Sequence, residues 1–128
     1  MIGNPFVYAR IHSRTLIQSE IEVDIQERIR HTVQDNPIVL FMKGTPQFPM
    51  CGFSARAVQA LKGASAQFAS VNVLEDPEIR ANLPRYSNWP TFPQLFINGE
   101  LIGGCDITLE LAESGELARM VKEAQKAA

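Results

Sequence analysis

A chain of 128 residues, 45% hydrophobic and 20% charged, has the size and composition of one ordinary globular domain with a real core. Its formal net charge of -2 and lack of a long basic run argue against nucleic acid or membrane as a partner, and no apolar stretch approaches the ~20 residues of a membrane span. The N-terminus lacks a secretory signal, and two cysteines, Cys51 and Cys105, are too few for a disulfide framework; both facts suit a reducing compartment.

Residues 1–18 carry Arg10, His12 and Arg14 but no acid, and their apolar residues follow no helical or strand period. They read as a flexible leader or an upstream start read into the chain. An acid-poor leader also has the composition of an organelle-targeting peptide. Residues 19–128 read as a single domain. Ser19 and Glu22 form a capping box, and Ile21, Ile25, Ile29 and Val33 mark one apolar helix face that ends at Pro37. Ile38 to Met42 is a continuous apolar run, expected of a strand buried on both faces. A loop with Gly44, Pro46 and Pro49 leads to a helix from about Cys51 to Lys62, with Gly63 as its expected stop. Phe68 to Val73 reads as a strand, and Asp76-Pro77-Glu78 as a helix start. Asn98-Gly99 joins the short strands Leu95–Ile97 and Leu101–Ile102 in a hairpin. Asp106 is expected to cap a last helical region interrupted at Gly115. This order implies a mixed sheet with helices on both faces.

Cys51 falls between the Pro-rich loop and a helix. Amides at a helix start lack intrahelical partners, so they stabilise a thiolate placed there. Lys43, at the end of the preceding strand, can add a full positive charge. A lone cysteine is more often a small buried hydrophobe, but the strand–loop–helix junction favours a reactive thiol. The C-x-x-C spacing is completed by Ser54. A hydroxyl cannot resolve a mixed disulfide, so Cys51 needs an outside thiol to turn over. Ser54 otherwise reads as an ordinary first-turn residue. His12 and His31 lie before the core without ligand spacing to either cysteine.

Cys51-Gly52-Phe53-Ser54 stands with Phe41-Met42-Lys43-Gly44-Thr45-Pro46, Trp89-Pro90-Thr91-Phe92-Pro93-Gln94 and Gly103-Gly104-Cys105-Asp106. Together these segments resemble the CGFS-type monothiol glutaredoxins, in that family's order and spacing, over roughly Ile21 to Ala124. The resemblance implies a short single-domain member with a thioredoxin-like α/β fold, its mixed four-stranded sheet flanked by helices.

It also implies roles. Cys51 would be the catalytic thiol and the cluster ligand. Lys43 and Arg80 would pair with glutathione carboxylates. Thr91-Phe92-Pro93 would form a cis-proline turn whose backbone pairs with the tripeptide. Gly103-Gly104 would let the chain approach the ligand closely, with Gly104 among the glutathione contacts and Cys105 and Asp106 supplying backbone amides. Asp106 would bond the glutathione amino group, whether or not it also caps its helix. Trp89 reads as a core or rim aromatic beside the site.

Two functions compete. One is binding of a two-iron two-sulfur ([2Fe–2S]) cluster between two chains and two glutathiones, with transfer to iron–sulfur acceptor proteins and a BolA-family protein as partner. The other is glutathione-dependent reduction of protein–glutathione mixed disulfides, at which this class is weak. A cytoplasmic location is expected, or an organellar matrix if the leader is a targeting peptide.

Overall fold

The computed structural model describes residues 24–127. The leader and the Ser19–Glu22 capping box therefore lie outside the described residues. The elements run α1 (described over 24–35), β1 (Ile38–Met42), α2 (Gly52–Gly63), β2 (Ala69–Asn72), α3 (Pro77–Ser87), β3 (Gln94–Ile97), β4 (Glu100–Gly103), α4 (Cys105–Ser114) and α5 (Glu116–Ala127).

The sheet order is β2-β1-β3-β4. β1 is parallel to β2 and antiparallel to β3, with Leu40 opposite Ser70 on one side and Leu95 on the other. β3 and β4 form an antiparallel hairpin. Its turn residues Asn98 (φ 52°) and Gly99 (φ 81°) are both left-handed, as a two-residue hairpin turn requires. This is the thioredoxin-like arrangement, a mixed four-stranded sheet with flanking helices.

Every residue of β1 is buried because both of its faces are covered. Ile38, Leu40 and Met42 pack with Ala57, Val58 and Leu61 of α2 and Leu117, Val121 and Ala124 of α5. Val39 and Phe41 face the other way, onto Ile25, Ile29 and Val33 of α1 and Ile79 and Leu83 of α3. Phe41 meets Phe96 of β3 edge-on, with ring centroids 5.5 Å apart. Each large side chain buried this way contributes about 1.5–3 kcal/mol. The two cores hold the sheet rigid under the loops at its end.

Local ends differ from expectation where tertiary contacts decide. α2 runs through Gly63 and is closed by Ser65, the residue with φ 59°. From there Ala66 N–H reaches back to the Leu61 carbonyl at 2.9 Å, the wider bond of a Schellman ending. β2 is shorter than Phe68–Val73. Asp76 does cap α3, accepting from Ile79 N–H at 3.2 Å, with Pro77 as the first helical residue. Asp106 is not a cap. Gly104 holds that position in α4, and Asp106 lies one residue inside the first turn. Gly115 (φ 84°) separates α4 from α5.

Candidate functional site

Three junctions converge at one end of the sheet: the exit of β1 into α2, the turn before β3, and the β4–α4 connection. Between them lies a cleft of about 860 Å³. Its walls include Lys43, Cys51, Arg80, Thr91, Phe92, Pro93, Gly104, Cys105 and Asp106; Gly103 is not among them, and a Cβ there would meet the Ile107 side chain at 2.7 Å. Trp89 and Phe53 line it too.

Cys51 is the N-cap residue of α2, extended at φ -154°, ψ 136°. Its thiol is held below the ordinary range. The largest cause is the Ser54 amide. Partial burial opposes it, the Phe53 amide and the Ser54 hydroxyl reinforce it, and Lys43 contributes least. The sulfur makes no capping bond of hydrogen-bond geometry, so several nearby donors act on the charge. Lys43 thus adds its charge as expected, behind the helix-start donors. Ser54 is also more than a first-turn residue. It is fully buried, and its Oγ accepts from Lys43 N–H at 3.1 Å, tying the end of β1 to the start of α2.

The loop before Cys51 is closed on itself. Met50 N–H donates to the Lys43 carbonyl at 2.9 Å, and Thr45 and Phe48 exchange backbone bonds. Gly44 has φ 94°, and a Cβ there would sit 2.5 Å from both Met50 N and the Phe48 carbonyl. Asn72 Oδ1 accepts from Gly44 N–H at 2.9 Å and from Leu74 N–H at 3.0 Å, pinning the loop to the end of β2. Fixed this way, the loop holds Phe48 and Met50 exposed (77% and 69%) next to Cys51.

On the opposite wall the Phe92–Pro93 peptide is cis. Lys43 is half-buried and Arg80 exposed, so two cations border the cleft, with the exposed acid Asp106 at the start of α4. A Cβ on Gly104 would stand 3.3 Å from both the Pro93 carbonyl and Trp89 Nε1, so a side chain there would crowd the cleft wall. Trp89 Nε1 is itself buried with no partner among the described residues.

Cys105 is the first residue of α4, one place beyond its N-cap Gly104. It is nevertheless buried, and its thiol is pushed up, first by burial and then by Asp106, with Arg56 opposing and Cys51 adding to the rise. Burial thus outweighs helix position. Among the described residues, no three His, Cys, Asp or Glu side chains gather to hold a metal ion. No described helix is long and apolar enough to cross a membrane. Residues that sequence reasoning passed over include Asn72 and Gln94. Only the folded contacts reveal them, because nothing in a lone amide's sequence position says which backbone groups it will meet.

The glutaredoxin family model matches residues 38–102. The chain is 56% identical over 104 residues to "Glutaredoxin 4" of Buchnera aphidicola subsp. Acyrthosiphon pisum, covering 81% of this chain and 96% of that protein. It is 56% identical over 97 residues to "Glutaredoxin 4" of Escherichia coli strain K12, covering 76% and 84%. Among solved structures it is similar to reduced poplar apo GrxS14 (51% identity, TM-score 0.69, 79% of this chain and 93% of that one). It is also similar to a buckwheat glutaredoxin–glutathione complex (27% identity, TM-score 0.73, 83% and 94%). With this fold, this cleft and these relatives, the chain belongs to the glutaredoxin family.

Proposed function

We propose that this chain is a CGFS-type monothiol glutaredoxin that binds glutathione and, as a homodimer, carries a bridging [2Fe–2S] cluster to acceptor proteins. The observation that carries the reading is one thiol prepared for ionisation, Cys51, in a cleft with cations on its border and no second thiol so prepared.

Glutathione is a tripeptide with carboxylates and an ammonium. Lys43 and Arg80 suit the carboxylates, and Arg suits them bidentately. Asp106 suits the ammonium. The Thr91–Pro93 edge suits the peptide backbone, with Gly104 close against that edge and Cys105 next to it at the start of α4. The buckwheat relative's complex with glutathione supports the same ligand here.

A [2Fe–2S] centre takes four ligands, usually thiolates. One chain brings Cys51. Cys105 is buried, and burial pushes its thiol up, away from the charged form a ligand needs. Two chains and two glutathiones complete the set, so the cluster is held as cargo with two ligands not tethered to the protein. We propose with this reading that iron–sulfur acceptor proteins and a BolA-family protein are its partners, and that it works in the cytoplasm with residues 1–18 as a leader.

A second reading rests on the lowered Cys51 thiol alone. A thiolate there can attack the glutathionyl sulfur of a mixed disulfide. That frees the protein thiolate and leaves glutathione on Cys51, from which a second glutathione releases it as glutathione disulfide. The visible spectrum of protein purified without oxygen separates the two. A brown dimer is expected. A colourless monomer that rapidly reduces glutathionylated protein would place the enzyme first.

A further inference from the structure

The turn before β3 supplies Trp89, Thr91 and Phe92 to the cleft, yet it is a loop with no strand partner of its own. It is held from beneath by Gln94. This side chain is fully buried, and its Nε2 donates to the Trp89 carbonyl at 2.9 Å and to the Thr91 carbonyl at 3.1 Å. One amide group thus clamps both ends of a three-residue span. The other half of the amide gains nothing, since Gln94 Oε1 is buried with no partner among the described residues. Burying an unsatisfied carbonyl costs stability. A methionine of similar length would fill the space without that cost, but it could hold neither carbonyl.

We infer that Gln94 is a positioning residue: acting through the Trp89 and Thr91 carbonyls, it presets the cleft edge against which the glutathione backbone lies. The inference rests on the glutathione-binding reading above and assigns the edge's rigidity to one side chain. A preset edge binds better because less freedom is lost on binding. Without the clamp the loop must be ordered by the ligand itself, and affinity falls while the fold stands.

Glutathione binding is measured by calorimetry on wild-type protein and on Gln94→Met, beside thermal melting and the emission of Trp89, the chain's one tryptophan. The variant is expected to bind about tenfold more weakly. Its melting temperature is expected within about 3 °C of wild type, and its Trp89 emission is expected to be shifted. A purely structural role would lower the melting temperature and spare affinity in the folded fraction. Equal affinity with unshifted emission would overturn the inference and leave the glutathione reading intact. Failure of wild-type protein to bind glutathione would overturn both.

If Gln94→Met does not fold, the unaltered protein still decides. By NMR its Gln94 side-chain amide protons should exchange slowly and shift as glutathione is added. Exchange as fast as that of the exposed Gln47 or Gln59 would overturn the clamp.

Discussion

Cys51 and Cys105 both stand at helix starts and both line the cleft, yet their thiols move in opposite directions. The amides and hydroxyl around Cys51 favour its charged form. Burial disfavours that of Cys105. Alkylation by iodoacetamide should therefore be fast at Cys51 near neutral pH, with a midpoint below that of a free thiol, while Cys105 stays slow until well above it. Ser54→Ala should raise the Cys51 midpoint without restoring the free-thiol value, because the Ser54 and Phe53 amides remain. Equal rates at the two thiols would contradict this.

The linkage to stability follows the same signs. Cys51 has a lowered value, so its contribution is fully present above the ordinary thiol range and is lost as pH falls through its folded value. Cys105 has a raised value, so stability declines as pH rises from the ordinary thiol range through the folded one. For the same reason Cys105→Ser should retain most cluster binding and Cys51→Ser should abolish it. Absorbance after reconstitution checks this, and equal losses would make Cys105 a ligand. At this scale Cys51 was legible, since a lone cysteine in the Cys51-Gly52-Phe53-Ser54 segment announces itself. The state of Cys105 was not, because burial is decided by α2 packing beside α4.

At the scale of elements, the loop between β1 and α2 is the most demanding piece of backbone. Gly44→Ala would combine a left-handed φ with a Cβ 2.5 Å from two backbone atoms that cannot move separately. A loss of about 2–4 kcal/mol is expected by urea unfolding, with slower Cys51 alkylation as the loop shifts. A change under ~0.5 kcal/mol would mean that the loop is softer than its bonds imply. Leu40→Ala, in the buried centre of β1, should cost about 2–5 kcal/mol without changing the Cys51 midpoint.

Strands and helices with strong periods were readable: the apolar run of β1, the spacing of α1 and the Asn98-Gly99 turn. Their ends were not. Gly63 reads as a stop, but the helix carries one more turn residue before Ser65 takes the left-handed conformation. Asp106 reads as a cap, but Gly104 precedes it at the sharper bend leaving β4. Ends are set by where the chain must next go, which a local pattern does not contain.

At the scale of the whole molecule, the cleft assembles residues from Lys43 to Asp106, and their order along the chain says nothing of their meeting. The resemblance of four segments to one family made them readable together. The sheet then explains it, since each segment leaves or enters the same end of a strand. What one molecule assembles is one thiol held below the ordinary range and an anion-favouring border of Lys43 and Arg80, which under the proposed function is half of a ligand set. Lys43→Ala or Arg80→Ala should shorten cluster retention several-fold without removing a ligand, because each loosens glutathione. Decay of visible absorbance under oxygen-free dilution checks it, and unchanged lifetimes would separate these cations from glutathione.

The most direct test is reconstitution with iron and sulfide in two parallel samples, one with glutathione and one strictly without any small thiol, each followed by absorbance and by mass in solution. A [2Fe–2S] dimer with two glutathiones is predicted in the first and colourless monomer in the second. A stable [2Fe–2S] monomer formed without glutathione would contradict the account.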